Sequence, residues 1–317
     1  MTTPLNSQEI FLLERYTSLA YLEALRETWS AMVTHLDACL ERFMLDLPAD
    51  YRSRPVAEQP DAVWGELVLP NFRDTLESLS CACVLLRSGD LSGLSSCHGP
   101  LSDFKGQTEF WSGWMSRDDE NRYGALLNQA VLMASNIQAT EGPYWEPGDL
   151  TSGYDSAARG PLDPPATWPA YRLSDKVGVA TDAPLPVSGI YLPNVPNSCA
   201  QFLHERYSTA PPARVVLPSG PAVMSGDADN QREFGDQPCI WTLVVRADET
   251  MRAAKSVVAE TPVARVAAGQ ACPRSGLWLT PARIGSQRHF ERGEIMPSVN
   301  SEFGHTIWQW YGSSDAR

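Results

Sequence analysis

The sequence predicts an α+β chain. An acidic helical domain is expected over residues 1–164, with a Pro/Gly-rich linker from about 141. A β-rich region is expected over 165–317, made of two related small units at about 170–250 and 260–317. Three observations carry this. Apolar residues recur every three or four positions up to about residue 140, then in short β-branched and aromatic runs after about 170. The net charge of −13 falls wholly in the first part, where residues 1–164 hold 24 acidic and 11 basic residues while 165–317 hold 14 of each. Finally, a string in the second part occurs twice.

Taken in order, Asn6 with Glu9 three residues on reads as a capping box. Leu22, Leu25, Trp29, Met32, Val33, Leu36, Leu40 and Phe43 then line one face of a long helix that ends near Leu47-Pro48. A second helical region is expected from Asp61 to Arg87, with Pro70 starting a new helix or kinking the old one. Its apolar face is Phe72, Leu76, Leu79, Cys83 and Val84, and Ser88-Gly89-Asp90 stops it. Residues 90–116 read as irregular but aromatic, with Phe104, Phe110, Trp111 and Trp114. A third helix is expected from Asp118 to Thr140, with Ser116 and Asp119 at its start and Leu126, Leu127, Ala130, Val131, Ala134 and Ile137 as its stripe. EGPYWEPGDL and GPLDPPATWP read as a linker or wrapped loop.

The strands follow as VGVA, GIYL, RVVL, WTLVV, VARVA, GLWL and TIWQWY. VGVATDAPLPVSGIYLP (177–193) aligns without gaps to ARVAAGQACPRSGLWLT (264–280). Glu233-Phe234-Gly235 is echoed by Glu302-Phe303-Gly304, and Ile240-Trp241 by Ile307-Trp308. Each copy is expected to run strand, Pro-x-Ser-Gly turn, aromatic strand, variable loop and Trp-bearing strand, with Gly189 and Gly276 supplying a positive φ. A single small unit has little core, so the two copies are expected to pair.

Composition narrows the function. No apolar run approaches the ~20 residues of a membrane span, and the N-terminal residues carry no basic and apolar pattern of a secretory signal. Seven cysteines without a CxxC motif suit free thiols in a reducing compartment, hence a cytoplasmic protein. The acidic balance argues against direct nucleic-acid binding and suits a basic protein partner.

Searching for catalytic spacing yields little. The chain has no GxSxG, GxxxxGK[ST], GxGxxG or HExxH. Cys97-His98 with Cys81 and Cys83 fits no standard zinc spacing and reads as buried thiols. Asp227-Ala228-Asp229-Asn230 lacks the glycine and terminal Glu of a calcium loop. Asp118, Asp119 and Glu120 could hold a metal, but such residues decorate a helix N-terminus more readily. No cofactor, metal or catalytic residue is therefore assigned. Trp278, Trp308 and Trp310 alternate with polar residues; at least one face of these strands is expected in the core, and Trp308 and Trp310 should point the same way. A stacking platform for sugars or bases is the alternative, and Arg283, Arg288 and Arg292 are either surface residues or ligand contacts.

ACPRSGLWLTPARIGSQRHFERGEIMP, followed by FGHTIWQWY, resembles the signature of bacterial polymorphic-toxin immunity proteins of the immunity protein 71 and immunity protein 72 families. The matching positions are Cys272, Pro273, Ser275, Gly276, Trp278, Gly293, Glu294, Met296, Pro297, Thr306, Trp308 and Trp310. The first copy departs, with Leu185 in place of Cys272 and no second Trp after Trp241. VWGELVLPNFRDTL, DFKGQTEFWSGWM and EGPYWEPG extend the likeness into the helical half. What the resemblance implies is a cytoplasmic antitoxin without catalytic residues, encoded beside an effector of the type VI secretion kind and binding it to prevent self-intoxication. A nuclease is the favoured toxin, because the acidic antitoxin could mimic phosphate charge. The expected contact residues are Asp118, Asp119 and Glu120 beside Phe110, Trp111 and Trp114. The rival readings are a ligand- or carbohydrate-binding module and an enzyme with an unrecognised site.

Overall fold

The computed structural model describes residues 2–206, 209–217, 233–247, 265–280, 286, 288–299 and 306–312, with the side chains of 310–312 left aside. It is an α+β chain, helical to residue 141 and β-rich from 171. The helices are α1 (Ser7–Tyr16), α2 (Leu19–Leu45), α3 (Leu69–Arg87), α4 (His98–Gln107), α5 (Arg117–Glu141) and α6 (Ser156–Arg159). No helix among the described residues is long and apolar enough to cross a membrane.

Local chemistry explains the helix ends. The Asn6 side chain accepts from the amides of Gln8 and Glu9 and starts α1. The long helix read from the sequence is interrupted after Tyr16, where Ser18 accepts from the Tyr21 amide and starts α2 afresh. Pro70 falls inside a helical run that is continuous from Asp61 to Arg87. It lies in the first turn of α3, and the residues before it, Asp61–Val68, wind as a π-helix whose last turn closes by the Leu69 amide donating to the Trp64 carbonyl. A proline supplies no amide for the turn behind it, and here that turn is the π-helical one. Val84 is 62% exposed rather than part of the core. Residues 90–116 are more regular than expected, with a 3-10 stretch at Leu91–Cys97 running into α4.

In chain order the strands are β1 (Tyr171–Ala180), β2 (Gly189–Pro193), β3 (Gln201–Leu203), β4 (Ala213–Val216), β5 (Phe234–Gln237), β6 (Ile240–Arg246), β7 (Arg265–Ala267), β8 (Gly276–Leu279), β9 (Arg288–Phe290) and β10 (Ile307–Gly312). One antiparallel sheet has the order β1-β6-β2-β3, another β7-β10-β8-β9, and β4 pairs with β5. The two four-stranded orders are the same when β1, β2, β3 and β6 are matched to β7, β8, β9 and β10.

Register agrees as well. Val179 faces Trp241 as Val266 faces Trp308. Tyr191 faces Leu243 as Trp278 faces Trp310, and Gly189 faces Leu203 as Gly276 faces Phe290. Side chains repeat the pattern: Tyr191 Oη donates to the carbonyl of Val187, and Trp278 Nε1 to that of Arg274, each four residues back. The glycines thus open equivalent strands for different reasons. Gly276 has φ 149°. Gly189 has no positive φ, correcting the expectation; a Cβ there would lie 2.8 Å from Leu243 Cδ1, so a side chain would require that methyl to shift.

The chain divides into two compact units, Met1–Glu249 and Thr250–Arg317. The boundary expected near 164 therefore separates no compact units. The reason is the two-residue alternation of the first sheet. Ile190, Leu192, Phe202 and Val244 point into the helical core with Trp29, Leu36 and Ile137, whereas Tyr191, Leu203 and Trp241 build a second cluster on the opposite face. Residues 141–170 also pack rather than link. Trp145 is buried, stacks on Tyr16 and donates Nε1 to Thr140, and its carbonyl accepts from Gln201 Nε2. In 250–317 the described buried cluster is Cys272, Trp278, Phe290, Met296 and Trp308. Each copy thus has a buried cluster of its own.

Candidate partner-binding face

Helices α3 and α5 flank α2, and both run antiparallel to it. Trp29 Nε1 donates to the Phe72 carbonyl and Arg87 pairs with Glu23, while Arg42 meets Asp119 and Asn136 meets Tyr21. The starts of α3 and α5 therefore lie beside the C-terminal half of α2. This end of the helical layer carries the aromatic loop expected from the sequence.

The structure divides those expected contact residues. Ser116 caps α5, accepting from the Asp119 amide and donating its hydroxyl to Asp119 Oδ2 at 2.7 Å. Arg42 approaches Asp119 Oδ1 at 2.9 Å. The Ser116 hydrogen bond, opposed by partial desolvation and joined by Arg42, holds the Asp119 carboxyl below its ordinary value. Glu120 accepts from Ser112 Oγ at 2.5 Å. Asp118 is exposed. Trp114 is buried against Phe43 and Trp64, whereas Trp111 is 47% exposed and uses its carbonyl to accept from Trp64 Nε1. Phe110 is half-buried against the core. Of the six, Asp118 and Trp111 are thus free for a partner. Asp119, Glu120 and Trp114 fix the loop and the helix start.

Sequence reasoning missed what Asp119 meets. His35 and Cys39, one turn apart on α2, bring Nε2 and Sγ to within 4.8 Å of an Asp119 oxygen. Those distances would suit three metal ligands. However, Arg42 already stands among them, 3.3 Å from Sγ and 2.9 Å from Oδ1, so the chain supplies the cluster's positive charge itself. Burial, with Asp119 beside it, raises the Cys39 thiol pKa, which keeps the sulfur protonated and poorly nucleophilic. The i, i+4 spacing was visible; the partner 84 residues from His35 was not.

The other expected sites resolve structurally. Cys97 is buried and Cys81 exposed, while His98 faces Gln138 and Glu141. All seven cysteines are free. Trp278 and Trp308 are buried, and Trp308 Nε1 donates to the Pro297 carbonyl at 2.8 Å, so Trp308 offers no stacking platform. Arg288 pairs with Glu294 and lies over Phe290. The Trp310 side chain, Arg283, His305, residues 227–230 and 302–304 lie outside the described residues.

Charge is distributed by compact unit. Residues 1–249 hold 33 acidic against 17 basic residues, and 250–317 hold 5 against 8. No protein-family model, no curated protein and no solved structure matches the chain.

Proposed function

We propose that this chain is a cytoplasmic immunity protein that binds and neutralises a cognate basic toxin, with a nuclease as the favoured target. The observation that carries the reading is the excess of negative charge on residues 1–249, the same unit that exposes the side chains of Asp118 and Trp111. A surface with an excess of one sign accelerates encounter with an oppositely charged partner by 10- to 1,000-fold, roughly. An exposed aromatic on the same unit supplies the kind of anchor on which binding energy concentrates. The resemblance of Cys272-Pro273-x-Ser275-Gly276-x-Trp278 and its downstream motif to the immunity 71 and 72 signatures points the same way. The role is stoichiometric occlusion, needing no turnover.

Co-expression with the toxin domain encoded beside the gene tests this. Restored growth together with a stable complex on gel filtration is the expected result. Restored growth without a complex, dependent on consumption of a small molecule, would overturn it in favour of an enzyme.

A further inference from the structure

We propose that the cavity walled by α1, the start of α2, α5 and residues 159–163 binds an amphipathic organic anion, one carboxylate or sulfonate carried on an apolar body. The inference stands apart from the function proposed above, because it concerns a small molecule and no toxin.

The cavity holds about 620 Å³, within the range of roughly 300–1,000 Å³ usual for small-molecule sites. Tyr16, Tyr21, Ala24, Ala125, Leu132 and Met133 give it apolar walls. The segment 159–163 closes it and is pinned through three carbonyls. Arg15 Nη2 donates to the Asp163 carbonyl, Tyr154 Oη to that of Gly160, and Asn136 Nδ2 to that of Arg159. Asn136 Nδ2 also donates to Tyr21 Oη at 3.0 Å, which ties this segment to α2. The space is therefore built into the fold, and a ligand is spared the cost of ordering it.

The lining itself selects an anion. Its charged residues are Arg15, Arg159 and Asp163. Among the described residues no carboxylate pairs with either arginine; each guanidinium is stacked on a ring instead, Arg15 at 5.0 Å from the Phe11 centroid and Arg159 at 4.7 Å from that of Trp145. Stacking holds a guanidinium by its face and leaves the N–H groups of its edge for a carboxylate or sulfonate. Asp163 is exposed. Two cations against one carboxylate match a ligand with a single negative group. Tyr21 adds a neutral donor: burial raises its pKa to about 12, so the hydroxyl keeps its proton, which no acceptor among the described residues takes. The apolar walls give inorganic phosphate or a sugar little to bury against, so the body of the ligand is apolar. Residues 1–249 are acidic overall, which disfavours adventitious anion binding elsewhere on them.

The probes are anilinonaphthalene sulfonate and phenylnaphthylamine, the same skeleton without the sulfonate, titrated into the full chain and followed by their fluorescence. The sulfonate should bind with one molecule per chain, and inorganic phosphate should not displace it. Arg159→Gln and Arg15→Gln should each weaken the sulfonate by about tenfold, equivalent to about 1.4 kcal/mol, and leave the neutral skeleton unchanged; Arg159→Lys should keep most of the binding. Asp163→Asn should tighten the sulfonate. That variant keeps the fold, because Asp163 is exposed and asparagine tolerates its φ of 42°, so it decides the charge claim even where an arginine variant melts early. Ala125→Phe, on the exposed side of the α5 wall, should fill the cavity and weaken both probes. Arg122→Gln, on α5 but outside the lining, should bind as the wild type does. No binding of the sulfonate by the wild type, equal losses of both probes in the arginine variants, a sulfonate affinity unmoved by Asp163→Asn or Ala125→Phe, or a loss with Arg122→Gln as large as that with Arg159→Gln would each overturn the proposal. None of these results bears on whether the chain holds a toxin.

Discussion

Removal of the Trp308 indole is expected to unfold the C-terminal sheet, and its size follows from what the ring touches. Trp308 is buried, meets Phe290 edge to face at 4.9 Å between centroids, and donates Nε1 to the Pro297 carbonyl at 2.8 Å. Among the described residues it is one of five buried apolar residues in its cluster. Truncating a buried Trp to Ala costs about 3–5 kcal/mol through lost transfer energy and the cavity left behind. The Pro297 carbonyl also loses its donor, adding about 1 kcal/mol or more. A unit the size of residues 250–317 is stable by roughly 3–10 kcal/mol at 0.05–0.15 kcal/mol per residue. Trp308→Ala thus removes much or all of that margin. Hydrogen exchange of the full chain resolves it by segment: amides of β7, β8 and β10 should lose protection in the variant, whereas those of α2 and α5 keep theirs. Protection within β8 and β10 that matches the wild type, together with lost toxin binding, would refute the reasoning and make the indole a surface contact.

Other expectations are equally direct. Glu9 is buried, and desolvation, opposed by the Ala200 amide, raises its pKa from 4.5 to about 7. The folded state therefore holds its proton more tightly than the unfolded chain, so this group's contribution is fully present below about pH 4.5, falls as pH rises through 7, and is then lost. The slope is worth about 3 kcal/mol at 1.36 kcal/mol per pKa unit; denaturant melts should show Glu9→Gln flattening it, and an unchanged slope would count against it. Gly276→Ala, at φ 149°, should cost about 1–3 kcal/mol of backbone strain, and Gly189→Ala less, because the Leu243 methyl can shift; equal costs in thermal melts would contradict the two explanations. Asp118→Lys should slow association with the toxin and leave the melting temperature unchanged, whereas Asp119→Lys should also lower it by removing the carboxylate that accepts from the Ser116 hydroxyl and pairs with Arg42.

Much of the architecture was legible because it rests on local signals. Asn6 and Ser116 cap helices as their residue types suggest, and the two copies of the Ser-Gly-aromatic string fold with one register. Helix α4 was hidden because Gly99, Pro100 and Gly106 interrupt its pattern and Pro100 is its buried residue. The division at 249 rather than 164 was hidden for a different reason. Alternation in β2 shows that two faces are buried, but nothing local says that Ile190 and Leu192 meet helices while Tyr191 meets β-strands. The same limit applied to the acidic helix start. Its charge was plain, yet Arg42, 77 positions away, decides that Asp119 is tied down and Asp118 is free.

The claim that the acidic unit captures a basic toxin is tested most directly by the association rate constant of the full chain with the toxin domain, measured by stopped-flow across ionic strength. Exposed charges are screened beyond about 8 Å at 0.15 M salt, so the rate should fall steeply from low to physiological salt and flatten for Asp118→Lys. A rate independent of salt, or one that rises with it, would contradict electrostatic capture by this surface.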